Sequence, residues 1–108
     1  MAKRDVLPWR RPSQSFDLSH GGLHFAVQVG YYDDGRPGEI FISSPKTGSM
    51  AEINARDAAV LASIALQRGA DPAKTLHALT HDTDGSPEGV VGKVLEILVD
   101  EEADRESE

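Results

Sequence analysis

The sequence HGGLHFAVQVGYYDDGRPGEIFISS, residues 20–44, alternates between apolar and polar side chains along its first half. The apolar positions are Leu23, Phe25, Val27 and Val29, with His24, Ala26 and Gln28 between them. A period of two is typical of a half-buried β-strand. The turn-forming segment DDGR (33–36) and the apolar run GEIFISS (38–44) follow. The stretch therefore predicts a β-hairpin.

The residues before this hairpin predict one more strand. Ser15-Phe16-Asp17-Leu18 alternates in polarity, and His20-Gly21-Gly22 comes shortly after it. Two adjacent glycines allow a sharp reversal of the chain. We therefore expect the hairpin and this strand to form a small antiparallel sheet of about three strands.

After the hairpin, the period of apolar residues changes from two to 3.6. Ser49 and Glu52 form an SxxE capping box, in which each side chain accepts a hydrogen bond from the other residue's backbone amide. The pattern predicts a helix from residue 50 to about residue 68. Gly69 suits the left-handed position that follows a helix end.

This helix carries two kinds of apolar surface. The larger side chains form one stripe, Met50, Ile53, Leu61 and Ile64. The small side chains form another face, Ala51, Ala55, Ala58, Ala59 and Ala62. Few polar residues remain, so we expect the helix to be buried on most sides. The alanine face would permit close approach of a neighbouring element.

Two more helices are predicted toward the end of the sequence. Asp71-Pro72 combines an N-cap with a proline in the first turn and begins a helix that runs to about Thr80. Ser86-Pro87 begins another, with apolar positions from Val90 to Leu98. Strands followed by helices predict an α+β fold, with the small sheet followed by three helices packed on one of its faces.

Length and composition exclude several classes of protein. A chain of 108 residues is predicted to form one domain. It contains no cysteine, which excludes disulfides, cysteine-ligated zinc and thiyl chemistry by this chain alone. Because no apolar run has the roughly 20 residues of a membrane span, and the start lacks a signal-peptide pattern, we expect a cytoplasmic protein without membrane contact.

The charges are distributed unevenly around a formal net charge of −7. Residues 1–12 form a basic arm, residues 13–99 the domain, and residues 100–108, DEEADRESE, an acidic tail predicted to be disordered. The arm is either a solvated tail, a grip on an acidic partner or a segment lying across its own body. The negative balance argues against direct binding of nucleic acid.

The predicted start of the first helix offers a candidate anion site. It consists of Lys46, Thr47, Gly48 and Ser49. Unpaired amides and the helix dipole favour an anion there, glycine allows close approach, and the lysine adds a positive charge. The alternative is an ordinary turn and helix cap, because the P-loop spacing is absent.

Asp57 is a second candidate. On a helical wheel it lies between Ile53, Leu61 and Ile64, in the middle of the stripe predicted to be buried. An unpaired carboxylate there would be costly, so Asp57 is expected to have a partner. It would form either a buried structural pair or a carboxylate that faces a ligand or takes part in catalysis.

Histidine spacing gives little support for a metal. His77 and His81 are four residues apart, and Asp82, Asp84, His20 and His24 are further potential ligands, but their positions suit turns and a helix end. No nucleophile motif of the GxSxG type is present. We therefore assign no metal, no cofactor and no catalytic residue, and do not expect an enzyme.

Four segments taken in order resemble the TSCPD domain. They are HGGLHFAVQVG (20–30), DGRPGEIFISSPKTGS (34–49), RDAAVLASIALQRGADP (56–72) and DGSPEGVVGKVLEIL (84–98). The resemblance covers roughly residues 10–98. This domain occurs at the C-terminal end of vitamin B12-dependent ribonucleotide reductases and in small bacterial and prophage proteins.

The resemblance implies a β-then-α architecture and an association with nucleotide metabolism. The reductase reaction requires a large barrel and cysteines, so this chain cannot itself be the reductase. The family's short forms often carry cysteines, which are absent here. The signature positions fall at Gly21, Gly22, Gly35, Glu39, Lys46, Gly48, Ser49, Asp57, Gln67 and Gly69.

These observations predict a non-catalytic accessory or regulatory module that binds a protein partner, such as a ribonucleotide reductase, or a phosphorylated, nucleotide-like ligand. The ligand site would be the segment 46–49. Supporting residues would be Asp57, His20, Gly21, Gly22, Glu39 and Gln67.

The alternative hypothesis is a small acidic inhibitor from a phage or mobile element that occupies the nucleic-acid-binding surface of a host protein. It requires a contiguous acidic face formed by Asp33, Asp34, Glu39, Asp82, Asp84 and Glu88. A homodimer is also expected, through an open sheet edge or the alanine face.

Overall fold

The computed structural model describes residues 3–45 and 48–106. The elements are β1 (Ser13–His20), β2 (Leu23–Tyr31), β3 (Pro37–Ser43), α1 (Met50–Gln67), α2 (Pro72–Ala78) and α3 (Val90–Glu106). The chain divides into two compact units, Met1–Gly69 with the sheet and α1, and Ala70–Glu108 with α2 and α3. The predicted α+β order of strands followed by helices is confirmed.

The sheet has the order β1-β2-β3, with both pairs antiparallel. Val27 lies opposite Phe16 on one side and Ile42 on the other, and these residues define the inner face. The buried apolar side chains of this face are Phe25, Val27, Val29, Ile40 and Ile42. The alternation in the sequence therefore identified the buried face of the hairpin correctly.

The Ser49 half of the predicted capping box is confirmed, and Glu52 Oε1 accepts from the Gly48 amide, one residue before the cap. Ser49 Oγ accepts a hydrogen bond from the Glu52 amide at 3.1 Å, and the helix begins at Met50. Gly69 has a φ of +93° just after the helix end, a conformation that glycine adopts without a steric penalty. Local capping chemistry thus determines both ends of this helix.

The prediction that α1 is buried on most sides was wrong for the side that carries its larger apolar residues. The buried side carries Ala55, Ala59, Ala62 and Leu66, whereas the predicted stripe of larger residues is exposed. Helix α1 packs against β3. Small side chains let the helix backbone approach the strand closely, so Ala55, Ala59 and Ala62 of the alanine face are covered within the same unit, whereas Ala51 is exposed.

Polar residues of α1 bind the backbone of β3. Ser63 Oγ accepts from the Ile40 amide at 2.8 Å and lies 3.2 Å from the Ile40 carbonyl oxygen. Gln67 Nε2 donates to the Gly38 carbonyl at 3.0 Å. Because β3 is an edge strand, these bonds occupy backbone groups that would otherwise be open to another strand.

The basic arm lies across its own body, which was one of the alternatives left open. The Asp5 amide donates to the Gln67 carbonyl at 2.7 Å, and Arg4 Nε donates to Gln67 Oε1 at 2.5 Å. The Tyr32 hydroxyl donates to the Asp5 carbonyl at 2.7 Å. Burial raises the pKa of the Tyr32 phenol. The arm is therefore attached to the C-terminal end of α1 and to the hairpin.

The second unit differs from the prediction at both ends of α3. This helix begins at Val90 and not after Ser86-Pro87, because Pro87 pairs with His81 in a short bridge. It continues to Glu106, so residues 100–106, assigned to the acidic tail, are helical. Glu, Ala and Arg are good helix formers, which favours this extension. The N-cap of α2 at Asp71 is as predicted.

Within residues 3–45 and 48–106, no helix combines the length and the apolar character that crossing a membrane requires.

Candidate functional site

The predicted anion site at the start of α1 is described only in part. Lys46 and Thr47 lie outside the described residues. Gly48 has a φ of +82°, and Ser49 is the N-cap. The described half of the site thus consists of a turn glycine and a capping serine.

A buried carboxylate lies at the same place. Glu52 is 2% exposed, and its Oε1 accepts from the Gly48 amide at 3.3 Å. Its Oε2 lies 2.7 Å from Nη2 of Arg56, an ion-pair distance without the alignment of a hydrogen bond. The Gly48 amide is thus already bonded to a carboxylate of the chain, which competes with a bound phosphate for this helix start. Anion binding by residues 46–49 stays a prediction.

The residues predicted to support that site lie on different elements. Asp57 is exposed on the outward side of α1, so the prediction of a buried, paired carboxylate was wrong. Gln67 is buried at the end of α1. The predicted turn His20-Gly21-Gly22 does join β1 to β2, with positive φ at both glycines.

Glu39 belongs to the outer face of the sheet. Its Oε1 lies 2.6 Å from Nε of Arg11, and the carboxylate crosses Gly30 on the neighbouring strand. A Cβ at Gly30 would lie 2.5 Å from Glu39 Oε1, so this position requires glycine for the ion pair to pass over it. Arg11 also donates to the Pro8 carbonyl at 2.7 Å. The pair holds the arm to the sheet.

Large apolar side chains form a continuous surface on the outward side of α1. The outward stripe is defined as Met50, Ile53, Val60, Leu61 and Ile64, with Asp57 among them. Met50 and Leu61 are 69% and 68% exposed. Contiguous exposed apolar patches are uncommon on monomeric proteins and mark interaction sites.

The outer face of the sheet contains a shallow depression of about 320 Å³. Its polar lining side chains are Ser15, Asp17, Gln28 and Ser43, and its large apolar side chain on this face is Phe41. Gln28 lies directly between Ser15 on β1 and Phe41 on β3, and Ala26 between Asp17 and Ser43. These two cross-strand rows bring side chains from β1, β2 and β3 together around one depression.

The residues of this depression have no motif that marks them as a ligand site. The alternating pattern places Gln28 on the polar side of its strand without indicating a ligand there. Phe41 was the available signal, because it is the aromatic residue at an outward position between Ile40 and Ile42. A large aromatic ring on a polar sheet face is a feature that the period of two can reveal.

The acidic residues of the alternative hypothesis are partly neutralised. The backbone amide and the side chain of Arg36 donate to Asp34 and hold the pKa of that carboxyl below its ordinary value. Glu39 is paired with Arg11, and Asp82 accepts from the amides of its own turn. A contiguous acidic face is not shown and stays a prediction.

Histidine and carboxylate side chains do not converge on a metal position in the described part of the chain, where no group of three or more potential ligands occurs. His81 Nδ1 lies 2.7 Å from the Leu79 carbonyl, and His24 Nδ1 lies 2.9 Å from Ser19 Oγ.

A three-stranded antiparallel sheet with α1 closing its edge, followed by a helical unit, defines a small α+β module. Its sequence matches the model of the TSCPD domain over residues 6–99. The chain belongs to the TSCPD domain family. The resemblance noted in the sequence is thereby confirmed.

A vitamin B12-dependent ribonucleotide reductase from Bradyrhizobium diazoefficiens is similar to this chain. The two are 36% identical over 69 residues, which is 64% of this chain and 6% of the reductase. The chain thus spans a small fraction of that relative's length. No solved structure matches it.

Proposed function

We propose that this chain is a non-catalytic accessory module that contacts a ribonucleotide reductase through the outward stripe of α1. The family match and the similar reductase support the class of partner. The single observation that supports the contact surface is the exposure of the outward stripe. A similar segment makes up 6% of a much longer reductase, which supports a module that packs against a larger protein.

The outward stripe has the chemistry of a protein-binding surface. Its large side chains project from one helix, so little backbone conformational entropy is lost when a partner covers them. Apolar side chains that become buried contribute about 25 cal/mol per Å² removed from water. Asp57 places one negative charge within the stripe. The partner surface is therefore expected to be apolar, with a cation facing Asp57.

The non-catalytic part of the proposal rests on composition. The chain has no cysteine, so no thiol of its own can form a radical or supply reducing equivalents.

Binding to a purified vitamin B12-dependent ribonucleotide reductase from the same organism tests the proposal. Leu61→Lys introduces a charge at the centre of the outward stripe, and we expect it to weaken binding by about tenfold or more. Ala51→Lys introduces the same charge on the same helix, away from the stripe, and is expected to bind like the wild type. Biolayer interferometry measures both.

Salt separates this proposal from the acidic-inhibitor alternative. An apolar contact depends little on ionic strength, whereas binding through carboxylates weakens strongly between low and high salt. Failure of the wild type to bind the reductase, or equal binding by both lysine variants, would contradict the proposed contact. Salt-sensitive binding to a nucleic-acid-handling protein instead would favour the alternative.

A further inference from the structure

The depression on the outer face of the sheet carries a second inference, which does not depend on the docking of α1. It lies on the side of the sheet opposite the buried side chains of Ile40 and Ile42. Its volume of about 320 Å³ falls at the lower end of the range for small-molecule sites, roughly 300 to 1,000 Å³. A small planar ligand would fit this size.

Phe41 supplies a stacking surface in this depression. It is 53% exposed, although its chain neighbours Ile40 and Ile42 are buried on the other side of the strand. An exposed aromatic ring on a sheet offers its face to a planar heterocycle, and such stacking tolerates any base with a π-surface. The ring thus favours an aromatic ligand over an aliphatic one.

Gln28 supplies the group that can select among bases. It lies directly opposite Phe41 on the adjacent strand, and neighbouring strands are roughly 4.8 Å apart. Its amide presents a donor and an acceptor side by side, which is the complement of the N6 and N7 edge of adenine. Gln28 is exposed and lines the depression, so both functions are accessible to a ligand.

The remaining polar groups determine which ligand charge the site favours. Asp17 and Ser43 lie in the next row of the face, on either side of Ala26. A carboxylate and a hydroxyl suit the hydroxyl groups of a ribose. The described residues that line the depression include no cation, and Asp17 is negative, so a phosphate would be repelled. The nearby guanidinium of Arg11 is paired with Glu39.

We propose that this depression binds the adenine base of a nucleoside, stacked on Phe41 and recognised by Gln28, with Asp17 and Ser43 facing the ribose. The site favours the uncharged nucleoside over its polyphosphate. Binding breaks no covalent bond and requires no metal.

Titration of the full chain with adenosine, followed by NMR chemical shifts, tests the site. Saturable binding is expected, with Phe41→Ala weakening it by roughly tenfold or more. Phe41→Leu keeps an apolar side chain without an aromatic face and is expected to bind as weakly. Val6→Ala truncates an exposed apolar side chain of the arm that does not line the depression, and this control should bind adenosine like the wild type.

Discrimination between ligands tests the roles of the polar residues. Gln28→Leu should remove the preference for adenosine over uridine. ATP should bind more weakly than adenosine. Asp17→Asn removes the negative charge that repels phosphate and should reduce this difference in affinity. The proposal is overturned by absence of adenosine binding to the wild type, or by unchanged binding in both Phe41 variants. Much tighter binding of an oligo(dA) strand would overturn it by assigning the face to single-stranded nucleic acid.

Discussion

On α1, the side against β3 carries alanines together with Ser63 and Gln67, whereas the side facing away carries Met50, Leu61 and Ile64. The larger apolar residues are thus the exposed ones. A helix that packs on an apolar sheet face normally buries its largest side chains. Here the helix lies close to an edge strand, and small residues with well-placed hydrogen-bonding groups fit that position better than bulky ones.

The contrast shows that apolar area alone does not determine which side of a helix is buried. Backbone groups of an edge strand need partners, and an unsatisfied buried amide costs about 1 to 3 kcal/mol. Ser63 and Gln67 satisfy such groups at Ile40 and Gly38. The outward stripe therefore does not contribute to the core of this unit and remains exposed.

The largest expected difference in stability between the two sides is between substitutions of Leu66 and of Leu61. Leu66 is 5% exposed and Leu61 is 68% exposed. Leu66→Ala should lower the free energy of unfolding by about 2 to 5 kcal/mol, because it removes a buried side chain and leaves a cavity. Leu61→Ala should change it by no more than about 0.5 kcal/mol. Urea unfolding of both variants measures the contrast. Similar losses would show that the outward stripe is buried in solution.

Hydrogen bonding to the edge strand should have an intermediate effect. Ser63→Ala removes the acceptor of the buried Ile40 amide, so we expect a loss of about 1 to 3 kcal/mol. Asn54→Ala replaces an exposed polar residue of the same helix and is the matched control, expected to be nearly neutral. Faster hydrogen exchange at the Ile40 amide in the serine variant would identify the lost bond. An unchanged exchange rate would contradict it.

Asp57 should give the smallest effect. Its exposed position predicts that Asp57→Ala changes the free energy of unfolding by no more than about 0.5 kcal/mol. A buried and paired carboxylate, which the sequence pattern favoured, would cost about 3 to 5 kcal/mol when its partner remains. Thermal unfolding of the variant distinguishes the exposed position from the buried one. A strongly lowered melting temperature would show that Asp57 is buried and paired.

The elements of this fold that depend on local chemistry could be predicted from the sequence. The hairpin follows from alternation and a DDGR turn, and the start of α1 from the Ser49 and Glu52 box. The start of α3 could not be predicted in this way. Ser86-Pro87 resembles a helix start, but Pro87 pairs with His81 across the intervening turn, and the N-cap signal alone does not indicate that bridge.

The site was less predictable for a related reason. A helical wheel places Asp57 correctly beside Ile53, Leu61 and Ile64, but it does not show which apolar side meets β3, so the predicted burial of Asp57 is wrong. The i,i+4 spacing of Glu52 and Arg56 is visible in the sequence, but the burial of Glu52 emerges only when the helix is packed. Phe41 and Gln28 lie on different strands and come together through the register of β2 and β3.

The closure of β3 by α1 also bears on how copies of the chain can associate through their sheets. The Gly38 and Ile40 backbone groups of β3 are already bonded to the helix. An additional strand would therefore have to pair with the other edge strand, β1. Two copies joined edge to edge along β1 would leave a helix-covered strand at each outer end. Such an association terminates at a pair, whereas a sheet with two open edges can elongate into a fibre.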